Sequence, residues 1–135
     1  MSRADDELRS LIREMEPDLN PGVYVYSVAP AGADLSSIDV VAMIREGEGW
    51  TVVAEESQIR RAGLPVLFRA AWITLSVTSD LHAVGFTAAF SQALAAARIS
   101  CNVIAGAHHD HIFVPIELAE PALALLRSLQ RSGAL

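Results

Sequence analysis

In the second half of this chain the hydrophobic period runs two, 3.6, two, two and 3.6, and few folds accept that order. Pro65 opens an extended run to Thr78, with Ile73, Leu75 and Val77 on one face and Trp72, Thr74, Ser76 and Thr78 on the other. Phe86, Ala89, Phe90, Ala93, Leu94 and Ala97 then recur at helical spacing, which predicts a helix over about 84–97 with one apolar face. Asp80 or Ser79 stands where a side chain can cap that helix. Residues 99–106, ISCNVIAG, read as a strand, and His108 to Asp110 sit where a hairpin turns. Ile112, Phe113 and Val114 return as a strand that Pro115 ends. Leu118, Ala122, Leu125, Leu126 and Leu129 face inward on a last helix over about 118–131.

The order β-α-β-β-α is a split βαβ, ferredoxin-like module without its last strand. With the sequence ending at Leu135, that strand is expected upstream, and VYVYSVA at 23–29 has the β-branched and aromatic content for it. Before it, residues 4–15 read as a helix: Asp5 and Asp6 suit its N-terminus, Leu8, Leu11, Ile12 and Met15 form one stripe, and Pro17 ends it. Asp18 to Gly22 is read as a turn-rich stretch and Pro30 to Ser37 as a loop. A hairpin follows, Val40 to Arg45 and Trp50 to Ala54 around Gly47-Glu48-Gly49, then a short helix over 55–62 closed by Gly63. The expected class is α+β, with tandem or interleaved ferredoxin-like (βαββαβ) modules whose antiparallel sheets pack on helices. No linker-like segment separates an N-terminal half, 1–65 with its leading helix, from a C-terminal domain, 66–135.

Composition removes several function classes. Of 135 residues 52% are hydrophobic, enough for a core without staples, yet no apolar run approaches the ~20 residues of a membrane span. The start, MSRADDELRS, lacks the apolar stretch of a secretory signal, and a single cysteine, Cys101, fits a reducing compartment, so a cytoplasmic protein is expected. All 10 basic residues are Arg, the net charge is −6, and the only basic pair is Arg60-Arg61. Phosphate contacts need concentrated positive charge, so direct nucleic-acid binding is not expected. Absence of lysine excludes Schiff-base chemistry.

The segment SDLHAVGFTAAFSQALAAARISCNVIAGAHHDHIFVP resembles an ACT domain, closest to the tandem modules of aspartokinases and of the cytosolic arginine sensors of animal cells. MEPDLNPGVYVYSVAP and EGEGWTVVAEE are similar to the companion half of small stand-alone bacterial ACT-like proteins. The resemblance implies a non-enzymatic regulatory protein that binds an amino acid or related metabolite, without a cofactor, as a homo-oligomer, by default a dimer. It places the ligand between two ACT units. On one side is the loop of Ser79, Asp80, Leu81, His82, Ala83, Val84 and Gly85; opposite are Ser100, Cys101, Asn102, Val103 and Ile104 of the partner module. ACT domains usually regulate an attached enzyme, and at 135 residues none is expected here. The residue chemistry agrees: Gly85 lets a ligand approach a helix N-terminus, whose free N–H groups accept a carboxylate, while Asp80 and Asn102 suit an ammonium or polar group. In the plainer account Asp80 or Ser79 only caps the helix and Gly85 only permits close packing.

Two other readings stand beside this one. A structural dimerisation module would use exposed strand edges and no ligand, with loop 79–85 packed shut. A metal-binding protein would use His108, His109, Asp110 and His111, since imidazoles at i and i+2 on a strand share a face and His82 can join them. Cys101, mid-strand among apolar residues, reads as an inert thiol, and Glu46, Glu48, Glu55 and Glu56 as a solvated acidic turn. Trp50 and Trp72, with no basic groove beside them, read as core or interface residues.

Overall fold

The computed structural model describes residues 2–133. Its elements are α1 (Arg3–Glu14), β1 (Pro17–Ala29), β2 (Ala42–Glu46), β3 (Gly49–Glu55), α2 (Glu56–Arg61), β4 (Phe68–Leu75), α3 (Phe86–Ala96), β5 (Asn102–Ala105), β6 (Asp110–Pro115), a 3-10 turn (Ile116–Leu118) and α4 (Ala119–Ser132). The strands hydrogen-bond in the order β2-β3-β1-β4-β6-β5. The class is α+β with ferredoxin-like modules, as the periodicities require. The chain divides into two units, one of residues 1–20 and 72–135 and one of residues 21–71.

In the first of these units α3 and α4 pack on each other and both touch α1. The amphipathic faces explain this. Ile12 and Met15, Ile73 and Leu75 of β4, Phe86, Phe90 and Leu94 of α3, and Ala122, Leu123 and Leu126 of α4 are all buried. Phe86 and Phe90 meet edge to face with centroids 5.2 Å apart. α1 begins at Ser2, whose hydroxyl accepts the Asp5 N–H at 3.1 Å. The β5–β6 hairpin pairs Val103 with Ile112 and Ile104 with His111. Ala97, expected inward, is exposed, because α3 ends at Ala96 and the chain turns through Arg98 at φ +61°.

The turn expected at 18–22 is instead the start of β1. Pro17 occupies the first strand position, where no ladder N–H is required. The Ser76 N–H donates to Glu16 O at 3.1 Å and the Val77 N–H to Met15 O at 3.3 Å. Asn20 Nδ2 donates to Trp72 O at 3.1 Å and to Thr74 Oγ1 at 2.9 Å. Tertiary pairing thus supplies the order that the Pro and Gly content argued against. The strand expected at 99–106 is confined to β5.

In the unit of residues 21–71, β3 pairs with β2 on one side and with residues 24–29 of β1 on the other. Val25, Ala29, Ile38, Val52, Ala54 and Ile59 form the core, with Trp50, Leu64 and Val66 packed against it. Glu56 bridges Arg60 at 2.8 Å and Arg69 at 3.0 Å; these guanidiniums hold its carboxyl at about 2.

Phe90 is fully buried on the helix that positions the loop before it. Phe90→Ala is expected to cost about 3–5 kcal/mol and to lower the melting temperature by roughly 10 °C or more. Thermal denaturation against the exposed-site control Thr87→Ala, expected to change little, checks this.

Candidate functional site

Loop 79–85 lies between β4 and α3 and is tied to the neighbouring hairpin through Ser79. The Ser79 N–H donates to His108 O at 3.1 Å, tying it to the β5–β6 turn, and Ser79 is buried. Beyond Ser79 the loop is held by its own groups: Asp80 Oδ1 accepts the His82 N–H at 2.7 Å, and the Ala83 N–H donates to Asp80 O at 3.0 Å. The same His82 N–H keeps the Asp80 carboxyl below the usual carboxylate range. Leu81 is 67% exposed and Val84 87%. A loop packed shut against its core would not leave two aliphatic side chains in water.

Neither Asp80 nor Ser79 caps α3. The N-cap is Gly85 at φ +96°, without any side-chain cap, because the loop reaches the helix in a left-handed turn that brings no polar side chain over the first N–H groups. A Cβ on Gly85 would lie 3.1 Å from Leu8 Cδ2 of α1. The glycine is therefore required by backbone conformation, and a Cβ there would also push the Leu8 side chain aside slightly.

Ser79, Asp80, Leu81 and Ala83 line a cleft of about 70 Å³ with Phe86, Thr87, Ala105 and Asp110. Asp80, His82 and Ala83 also border a shallower depression of about 410 Å³ with Glu7, Ser10, Leu11 and Thr78. Ser100, Cys101, Asn102, Val103 and Ile104 line neither; only Ala105, the next residue of β5, reaches the cleft. Asn102 Nδ2 lies 3.5 Å from Phe113 O, and burial pushes the Cys101 thiol up to about 11, which leaves no thiolate for nucleophilic chemistry.

The histidines have other partners. Trp72 Nε1–H donates to His111 Nδ1 at 3.0 Å, and Thr74 Oγ1 is 3.2 Å from the same nitrogen. An indole only donates, so Nδ1 presents its lone pair and the ring is neutral. His109 Nδ1 lies 3.3 Å from Val77 O. Among the described residues no group of three or more His, Cys, Asp or Glu is arranged to hold a metal. The shared face expected of His109 and His111 is not available, since each ring is turned to a partner on the segment 72–77. Trp72 stacks on Phe113 with the rings 16° apart, as a core or interface role requires.

A larger pocket lies where no sequence signal points to one. An open pocket of about 620 Å³ is bordered by Val28, Ala29, Pro30, Glu46, Glu48, Gly49, Trp50, Thr51, Leu64 and Pro65. The turn, the end of β1 and the segment after α2 are each legible locally, but they meet only through the β1–β3 register, which sets Trp50 opposite Ala29 and Thr51 opposite Val28.

Models of the ACT domain match residues 4–71 and residues 68–128. The chain belongs to the ACT-domain family. ACT domains in general bind small-molecule ligands, oligomerise and act in regulation. A Vibrio cholerae protein of unknown function, described as a possible transport protein, is 42% identical over 94% of this chain and 98% of its own, with TM-score 0.83. The regulatory subunit of aspartate kinase from Thermus thermophilus, in ligand-free form, shares the fold at 14% identity and TM-score 0.66, over 84% of this chain and 95% of its own. An Agrobacterium tumefaciens protein does so at 16% identity and TM-score 0.68, over 84% and 87%. No curated protein matches the chain. No helix among the described residues is long and apolar enough to cross a membrane.

Burial, and next to it His109, lowers the His111 pKa below its ordinary value; Asp110 opposes this. The unfolded chain then takes up a proton near pH ~6.5 that the folded ring refuses. This contribution to stability is complete above the unfolded value and is lost as pH falls towards the folded one. Asp110, raised mainly by burial, acts with the opposite sign from its ordinary carboxylate value upward. His111→Gln keeps an acceptor for the Trp72 indole. It is expected to flatten the fall in denaturation midpoint between pH 7.5 and 5; an unchanged profile assigns that fall to other groups.

Proposed function

We propose that this protein is a non-enzymatic regulator that binds an amino acid or a related small metabolite and passes on the binding event as a change in assembly. The supporting observation is the state of the loop before α3: exposed beyond Ser79, and followed by a helix N-terminus with no side-chain cap. Uncapped N–H groups attract a carboxylate, and the ionised Asp80 carboxylate nearby attracts an ammonium. An α-amino acid carries both charges on one carbon. A dimerisation module without a ligand has no use for an open loop carrying that pair of complementary charges.

The cleft beside Ser79 is too small for most amino acids on its own, so the reading includes a second copy. β5 stands at one end of the strand order. A homodimer that brings Ser100–Ile104 of one copy over Ser79–Gly85 of the other would complete the site, both segments lying in the C-terminal domain proposed at 66–135, after an N-terminal half at 1–65. Exposed Leu81 and Val84 would be covered in such an assembly. Only a ligand with different affinity for two assembly states can shift them. A cytoplasmic location accords with the single cysteine.

Gly85→Val does not isolate ligand binding, because its φ of +96° and the Leu8 contact make any side chain there cost about 1–3 kcal/mol of stability. Asp80→Ala is the cleaner variant, since Asp80 is exposed. Among the twenty amino acids, one at a hundredfold excess over its Kd is expected to stabilise the protein by about 2.7 kcal/mol and to raise the melting temperature by several degrees. Asp80→Ala should abolish that rise while leaving the unliganded melting temperature within about a degree. No response to any amino acid, or an undiminished response in Asp80→Ala, removes this loop from the site.

A further inference from the structure

The cavity at the β2–β3 turn lies in the unit of residues 21–71, far in sequence from the loop before α3, and it differs from that loop in chemistry. Its volume of about 620 Å³ is within the range of small-molecule sites. Val28, Pro30, Trp50, Leu64 and Pro65 make its walls largely apolar. Its charged groups are two carboxylates, Glu46 and Glu48; no Arg or His lines it.

The walls are held in place before any ligand arrives. Gly49 sits at φ +139° with the site of a Cβ only 2.5 Å from Ala29 O, so the turn is pressed onto the end of β1. Trp50 Nε1–H donates to Ala31 O at 3.3 Å, which orients the indole, and Thr51 Oγ1–H donates to Glu46 Oε1. The two prolines fix their own φ. Such walls lose little freedom on binding.

We infer that this cavity binds a small organic cation, a protonated amine carrying an apolar or aromatic body and no carboxylate. The body fills the apolar walls and meets the indole of Trp50; the ammonium faces Glu46 and Glu48. A cation against an indole gains further attraction from the ring. An α-amino acid fits poorly, because its carboxylate would stand beside two like charges with no cation to receive it. This site therefore selects against the ligand class proposed for the loop before α3, and the chain has room for two different signals.

Isothermal titration calorimetry of the full chain with 2-phenylethylamine, with 3-phenylpropionate as the anion of similar shape and with phenylalanine, tests the assignment. The expected result is one amine bound per chain, at least tenfold weaker binding of the other two, and weakening of the amine in 0.5 M salt. The double variant Glu46→Gln/Glu48→Gln, folded by circular dichroism, should bind the amine at least tenfold more weakly. Trp50→Leu, which keeps the carboxylates and removes the indole, should weaken it as well. No binding of the amine, equal binding of the carboxylate, or an unchanged affinity in the folded double variant overturns the proposal.

Discussion

Burial of one face of α3 governs the unit that holds the loop 79–85. Phe86, Phe90 and Leu94 are buried at helical spacing, so the helix can take only one rotation about its axis. The chain leaving β4 must reach that axis, and it does so through a left-handed Gly85 close to Leu8 of α1. A loop committed to that path cannot also fold a side chain back over the helix end. Its openness is thus a consequence of the core: packing of α3 leaves the N–H groups uncapped and puts Asp80, Leu81 and Val84 into water.

The unit of residues 21–71 solves a similar problem with a different device. Its hairpin turn is closed by a glycine whose missing Cβ lets it rest on the Ala29 carbonyl. Close backbone approach there brings Trp50 and Glu48 alongside Pro30 and Pro65, and a cavity results. Apolar walls with carboxylates, and a helix end with a neighbouring carboxylate, are unlike environments for a ligand. Charge carried by the ligand, more than its size, distinguishes what the two can hold.

Polar side chains around Trp72 are engaged as well. His111 accepts from Trp72, Asn20 donates to Trp72 O and Thr74, and Trp72 lies on Phe113. The sequence shows His108 to His111 as a dense run of metal-ligand types, but ligand chemistry depends on where lone pairs converge, and these rings turn to separate partners. The run is informative about composition and silent about direction.

Periodicity alone determined that this is an α+β chain with ferredoxin-like order, and the residues of α3, the β5–β6 turn and the β2–β3 hairpin could be read directly because each is set by local spacing and turn chemistry. The candidate loop was legible too, as the stretch between a strand face ending at Val77 and a helix face beginning at Phe86. Local propensity failed where a distant segment supplied the hydrogen bonds: residues 17–22 look like a turn, yet Ser76, Val77 and Trp72 order the backbone there or beside it. Caps failed for a related reason, since whether Asp80 reaches the helix end depends on a path fixed by Leu8 and the core. Only the tertiary structure decided that Gly49 rests on Ala29 and borders an open pocket, because such a contact is set by strand register and leaves no periodic trace in the chain.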